Sequence, residues 1–294
     1  MDRNKILKGY IFVIISAVIF GCNALMVTSI YAQGINAISL VFMRSCLSAP
    51  ILGLLALWKN KSLRIPAAAV PRIGLMGIVG CCATPLLLFS SYRYMESGIA
   101  TVFHFIYPAV VVVGEILFLK YKVKIGNIIS VVLCVLGIAM FFDPSGKLNF
   151  VGSTLALVSG ITYTIYVLLL SNFRFPSVSG FLLSFYISMV SCIVMLCVCL
   201  ASGTLTLPAS AIGWVSCFLF AIVVNIGAFV LFQEGTLIVG GAQASILSTL
   251  EPIVSMIVGV FVFGEAVSIR IVFGAALVIL ASVLIALTGM KNSK

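Results

Sequence analysis

The sequence predicts an all-α membrane protein whose ten transmembrane helices form two inverted five-helix repeats. Three observations predict it: a composition too apolar for water, ten stretches long enough to cross a bilayer, and an internal match between the two halves. Apolar residues make up 63% of the 294 residues, charged residues 8%, and mean hydropathy is +1.30. Soluble domains carry about 45–50% apolar and about 25% charged residues, so too few charges are present to cover a water-facing surface.

A helix needs about 20 apolar residues to cross the hydrocarbon. Such stretches occur at 9–30, 38–58, 70–90, 97–118, 124–142, 150–171, 179–201, 211–232, 241–263 and 269–289. The first follows Arg3, Lys5 and Lys8 but is too long for a signal-peptide core. No small-x-small cleavage site comes after it, so it reads as a retained first helix. The second carries Arg44 and Pro50 and stops at Lys59 and Lys61. The third is narrow and bendable, with Gly74, Gly77 and Gly80 ahead of Thr84-Pro85. The fourth and ninth are interrupted at Tyr107-Pro108 and Glu251-Pro252. Runs such as Ile128–Phe142 and Val254–Phe263 lack the two-residue alternation of a β-barrel strand. The connections are short, which favours antiparallel neighbours in one bundle and leaves no room for a soluble domain.

The net charge of +10 is an orientation signal. With the N-terminus in the cytoplasm, Arg3, Lys5, Lys8, Lys59, Lys61, Arg64, Arg72, Lys120, Lys122, Lys124, Arg174, Lys291 and Lys294 fall on that side. Arg93, Lys147 and Arg270 face the other, and Arg44 lies inside a helix. This is the positive-inside bias. It points to a multi-pass protein of the cell (plasma or inner) membrane with both termini cytoplasmic. The basic excess is matched to the lipid bilayer, not to nucleic acid.

Shifting the chain by 144 residues lays 94–142 over 238–286 without a gap. Tyr107-Pro108 falls on Glu251-Pro252, Ala100 on Ala244 and Ile125 on Ile269. A shift of 143 pairs Gly9 with Gly152 and Ser16 with Ser159. The chain thus divides into repeats 1–145 and 146–294 of five helices each. Five is odd, so the second copy enters the membrane from the opposite side. Inverted repeats of this kind typify secondary transporters, with sites near the midplane.

Gly98-Ile-Ala-Thr-Val-Phe-His-Phe-Ile-Tyr-Pro108, Ala244-Ser-Ile-Leu-Ser-Thr-Leu-Glu-Pro252 and the continuation to Phe263-Gly-Glu265 resemble the EamA-type, ten-helix branch of the drug/metabolite transporter (DMT) superfamily. Arg44 in Phe42-Met-Arg-Ser resembles an arginine often found in helix 2 there. The resemblance covers the whole chain and implies the DMT fold and a metabolite carrier. Such proteins are commonly exporters of amino acids, related solutes or toxic compounds. Two departures stand out. Tyr121 occupies the place of Glu265 in the first repeat, and neither helix 1 nor helix 6 has the acidic residue that related four-helix exporters use for proton coupling.

Ionisable residues at membrane depth cost about 2.5–3.5 kcal/mol on insertion scales and mark functional candidates. Glu251, near the middle of helix 9, reads as a site for a substrate amine or a proton. Its alternatives are a structural pair with Arg44 or a capping role at the kink. Arg44 suits a substrate carboxylate, a partner for Glu251, or snorkelling to the interface. His104, Tyr107, Val111 and Glu115 share one helix face, which should turn inward. Glu115 lies close to Lys120 and Lys122, so an interfacial salt bridge is expected; His104 is either a titrating group or a packed, hydrogen-bonded histidine. Asn23, Tyr163, Asn225 and Gln243 each offer one hydrogen bond, to a solute or to a neighbouring helix.

All nine cysteines fall inside predicted helices and read as packing residues; no metal or cofactor motif accompanies them. No GxxxxGK[ST] loop is present, so the energy for transport comes from a proton or sodium gradient or from exchange. The leading expectation is a secondary transporter of a small organic solute, monomeric or homodimeric. A membrane-embedded enzyme lacks an HExxH or GxSxG motif and has a single histidine; a channel lacks a ring of charges.

Overall fold

The computed structural model describes residues 3–95, 97–119, 125–140, 149–175, 177–263 and 269–290. Ten helical passes follow one another, and no strand occurs among the described residues. Six are runs of 22 to 29 residues: α1 (Arg3–Tyr31), α2 (Ala37–Asn60), α3 (Ala67–Ser91), α6 (Phe150–Ser171), α7 (Gly180–Ser202) and α8 (Ala211–Val239). Between and after them come α4 (Ser97–His104 and Tyr107–Leu119), α5 (Ile125–Ala139), α9 (Gly241–Leu247, Ser248–Leu250 and Glu251–Phe263) and α10 (Ile269–Met290). Four helices start at side-chain caps, where the carbonyl or hydroxyl oxygen of Asn36, Asn149, Ser179 or Ser210 accepts an amide hydrogen three residues on. Outward faces are apolar, as lipid requires, with Leu54, Leu117 and Leu280 each more than half exposed.

Contacts between loops establish the alternation of the passes. Asn36 at the start of α2 reaches Thr204 after α7, and Arg72 in α3 bonds the carbonyl of Asn172 after α6. Lys59 near the end of α2 meets Glu234 late in α8. The packing also respects a two-fold exchange of α1–α5 with α6–α10. Helix α1 packs on α8 as α6 packs on α3, and α4 packs on α6 as α9 packs on α1. The pairs α2–α7, α4–α9 and α5–α10 map onto themselves.

The backbone irregularities are duplicated as well. Helix α3 widens into a π-helical turn at Gly77–Ala83 and α8 into another at Ala221–Ala228, their first residues 144 apart. Helix α4 breaks at 105–106, and α9 tightens into a 3-10 turn at Ser248–Leu250, each just before the proline pair. Two boundaries differ most from expectation. Helix α1 starts earlier, and α8 continues to Val239, through Glu234, because that charge finds partners in Lys59 and the amide of Gly180.

Candidate functional site

Seven helices leave a cavity between them, about 720 Å³ including its open mouth. Phe20, Asn23 and Ala24 of α1 and Arg44 of α2 line it with Gly80, Thr84, Pro85, Leu88 and Phe89 of α3. Tyr92, Thr101, His104, Phe105, Tyr107, Tyr163, Phe229, Glu251 and Ser255 complete the wall. The cavity therefore runs from mid-bundle toward the end where α3 finishes, away from Arg3.

Arg44 owes its place to Pro85. A proline has no amide hydrogen, so the carbonyl of Cys81 loses its partner in the helix. That oxygen accepts instead from Arg44 Nη2 at 3.3 Å and from Ser191 Oγ at 3.1 Å. Arg44 Nη2 also lies 3.2 Å from Cys81 Sγ, and Ser45 Oγ donates to Ser191 Oγ at 2.8 Å. Arg44 is 5% exposed, and its Nε has no partner. Among the described residues the one ion pair within 4.0 Å is Lys59–Glu234, at 3.5 Å. Arg44 and Glu251 thus share a cavity without forming the structural pair that their sequence positions suggested.

Glu251 opens the last segment of α9, directly after the 3-10 turn. No hydrogen bond reaches its carboxylate among the described residues. Its backbone is gripped by α1: a Cβ at Gly21 would lie 2.9 Å from the Glu251 carbonyl oxygen and 2.5 Å from Val254, so only glycine fits. Ser255 Oγ donates to the carbonyl of Gly21 at 2.6 Å. Helix α1 turns at Cys22, immediately beyond this contact, and so presents Asn23 to the cavity. The Oδ1 of Asn23 is buried and unpartnered.

His104 sits at the α4 break. Its Nδ1 lies 2.8 Å from Ser159 Oγ, and Ser159 Oγ lies 2.6 Å from the Ala156 carbonyl oxygen. A hydroxyl has one hydrogen, which goes to the carbonyl; Nδ1 is then the donor to Ser159, and in the neutral ring Nε2 is left as an acceptor. Pro108 frees the carbonyl of His104, against which Gly160 of α6 packs with its bare Cα; a Cβ there would be 2.6 Å away. Rings close the wall: Tyr107 and Tyr163 meet edge-to-face at 4.7 Å, and His104 lies 5.3 Å and 5.6 Å from their centroids. The Tyr107 hydroxyl is buried without a partner.

Six sequence candidates thus converge: Asn23, Arg44, His104, Tyr107, Tyr163 and Glu251. Three lie elsewhere. Glu115 Oε1 accepts the amide hydrogen of Ala242 at 3.1 Å and so caps the start of α9. The expected partners Lys120 and Lys122 lie outside the described residues, as do Tyr121 and Glu265. Asn225 Nδ2 braces α2 by donating to the Arg44 carbonyl at 3.2 Å and to Ser48 Oγ at 3.0 Å. Gln243 Oε1 accepts from the Tyr10 hydroxyl at 3.3 Å. Sequence reading does not single out Thr101 or Ser255, and it marks Ser159 only as the repeat partner of Ser16. Thr101 and Ser255 stand three and four positions from His104 and Glu251, the spacing of one helix face.

A helical bundle of this topology, holding a part-polar cavity at its centre, is that of a membrane transporter. The chain belongs to the EamA-like transporter family, whose description it matches twice, over residues 7–142 and 150–287. It is 19% identical over 293 residues to an "Uncharacterized transporter" of Clostridium kluyveri, covering 94% of this chain and 92% of that one. It is 30% identical over 182 residues to another from Archaeoglobus fulgidus, with 62% of each chain covered, and 25% identical over 250 residues to YwfM of Bacillus subtilis, with 81% of each. A crystal structure superposes over 100% of both chains with a TM-score of 0.80 at 15% identity, which establishes the likeness of fold.

Proposed function

We propose that the protein is a secondary transporter that exports a small zwitterionic solute, of amino-acid size and with an apolar or aromatic side chain, by alternating access. One observation carries this reading. A buried guanidinium with a free Nε and a carboxylate free of hydrogen bonds face one ring-lined cavity. Arg44 can donate from its free Nε to a solute carboxylate, a charge-assisted bond stronger than one between neutral groups. Glu251 takes the ammonium, and Tyr107, Tyr163 and Phe229 take the apolar part. Hydroxyl and amide groups of Tyr107 and Asn23 complete their own hydrogen bonds on the solute.

Repeats 1–145 and 146–294 rock against each other about this site. Glu251 holds the ammonium in one state and a proton in the other, which couples export to proton entry; sodium in place of the proton is the second reading. The thirteen positive residues put both termini in the cytoplasm, so the present cavity extends toward the outside. One chain holds the whole cavity, and a monomer is sufficient.

The test is a thermal-shift screen of metabolites on purified protein, followed by counterflow with each hit. Zwitterions should raise the Tm of the wild type, as any ligand of the folded state does, but not that of Arg44→Met or Glu251→Gln. A shift that survives both substitutions would place the solute elsewhere.

A further inference from the structure

The wall of the cavity nearest Arg3 is built of rings. Tyr166 and Phe229 stack with centroids 5.4 Å apart and planes at 17°, and Tyr163 meets Phe232 at 5.7 Å. Both pairs bridge α6 and α8. Gly80 of α3 admits the Tyr166 ring, since a Cβ there would lie 2.4 Å from it. Tyr163 and Phe229 face the cavity, whereas Tyr166 and Phe232 are fully enclosed behind them.

Polar groups stand directly beyond the rings. Gln233 is fully buried; its Nε2 donates to the Tyr166 hydroxyl at 3.0 Å, and its Oε1 accepts from Ser184 Oγ at 2.6 Å. Three residues on, Thr236 is buried and its Oγ1 has no partner. The line ends at Glu234, which accepts from the Gly180 amide at 2.9 Å and meets Lys59 near the end of the bundle. Helix-to-helix bonding accounts for the two bonds Gln233 makes. It does not account for the remaining donor and acceptor capacity of that amide, nor for the Thr236 hydroxyl, in a region where unsatisfied polar groups are costly.

We propose that Tyr163, Tyr166, Phe229 and Phe232 form the gate that closes the cavity toward Arg3, and that Gln233 and Thr236 line the solute's route behind it. The inference rests on the transport reading, and it adds the half of the path that the present conformation closes. The π-helical turn Ala221–Ala228 lies immediately before Phe229, so a change of register there carries one ring of each pair away from its partner.

Gln233→Cys in the full chain, reconstituted in proteoliposomes, tests the gate with a membrane-impermeant cationic thiosulfonate as probe. Modification at position 233 is read on its own peptide by mass spectrometry, so the native cysteines can stay. Adding Phe229→Ala is expected to raise the rate at 233 about tenfold, while Phe220→Ala, an equally buried ring of α8 outside the cavity wall, leaves it within about twofold. Thr84→Cys, inside the cavity, should react equally in all three backgrounds. Equal acceleration by both alanine substitutions, or none by either, overturns the proposal. Thr236→Cys replaces Gln233→Cys if the latter does not fold. The labelling needs no solute, so a chain that carried none of the tested zwitterions would sink the transport reading and leave the gate to stand or fall on these rates.

Discussion

Tyr107-Pro108 and Glu251-Pro252 occupy the same place in the two repeats, at the same break in helix, yet one offers a phenol and the other an acid. The π-helical turns of α3 and α8 are likewise matched in position, and each is held by a different clamp. Arg44 and Ser191 hold the first through the Cys81 carbonyl, and Asn225 ties the second to α2. The cation has no counterpart either, since α7 carries no charged residue. Backbone devices are duplicated while chemical groups are not. A duplicated backbone gives two equivalent ways to open, whereas a binding site for a zwitterion needs one cation and one anion and gains nothing from a second set.

Moving the acid across the pseudo-two-fold axis should have the largest effect. Tyr107→Glu combined with Glu251→Tyr keeps the composition and both kinks, but it places the carboxylate against His104 and Tyr163. Zwitterion counterflow should fall about 100-fold, the effect of losing a buried, hydrogen-bonded charge partner. Flux near the wild-type level would mean that the repeats are chemically interchangeable. Glu251→Gln alone should lower kcat/KM roughly tenfold or more with the fold intact, as size-exclusion profile and Tm would show.

The contacts behind the kinks also differ between the repeats. Gly21 and Thr164 stand 143 residues apart, and each lies against the carbonyl of the residue before a proline: Gly21 with bare backbone, Thr164 with an Oγ1 that is 3.5 Å from that oxygen and 3.0 Å from the Gly160 carbonyl in its own helix. Gly21→Val should destabilise by about 1–3 kcal/mol because the added atoms have no room beside Val254 and the Glu251 carbonyl. Thr164→Val should cost about 0.6 kcal/mol, the average of such bonds in a membrane. Thermal unfolding in one detergent ranks the two. The smallest effect belongs to Lys59→Ala, whose ion pair is 46% and 27% exposed; Tm and flux should change within error, because exposed pairs are worth about 0–1 kcal/mol.

Much of the fold is legible in the sequence because hydrocarbon imposes a simple rule of length and polarity. The ten passes and the proline pair that marks the repeat follow from it. Helix α8 shows where the rule fails: a charge looks like an end until its partners, Lys59 and the Gly180 amide, are known. The π-helical turns leave no mark in apolar patterning, since all their residues but Asn225 are apolar or glycine whatever the period; only the glycines and Pro85 hint at a bend. Arg44 and Glu251 stand out in the sequence because charges at depth are costly. That they do not pair, and that Arg44 answers the carbonyl of Cys81, 37 residues on, is a property of the packing. Glu115 adds a contact that no local pattern announces, since the amide hydrogen it accepts, from Ala242, lies 127 residues on.

On the proposed function, Arg44 and Glu251 read opposite ends of one solute. Counterflow in proteoliposomes with L-phenylalanine, phenylethylamine and phenylpropionate tests it most directly, because the three share a ring and differ only in their charges. L-Phenylalanine should exchange while each single-charge analogue falls at least about tenfold, the amine losing its hold on Arg44 and the acid its hold on Glu251. Equal exchange of all three, or of either analogue with L-phenylalanine, would mean that the two charges do not read the two ends of one solute.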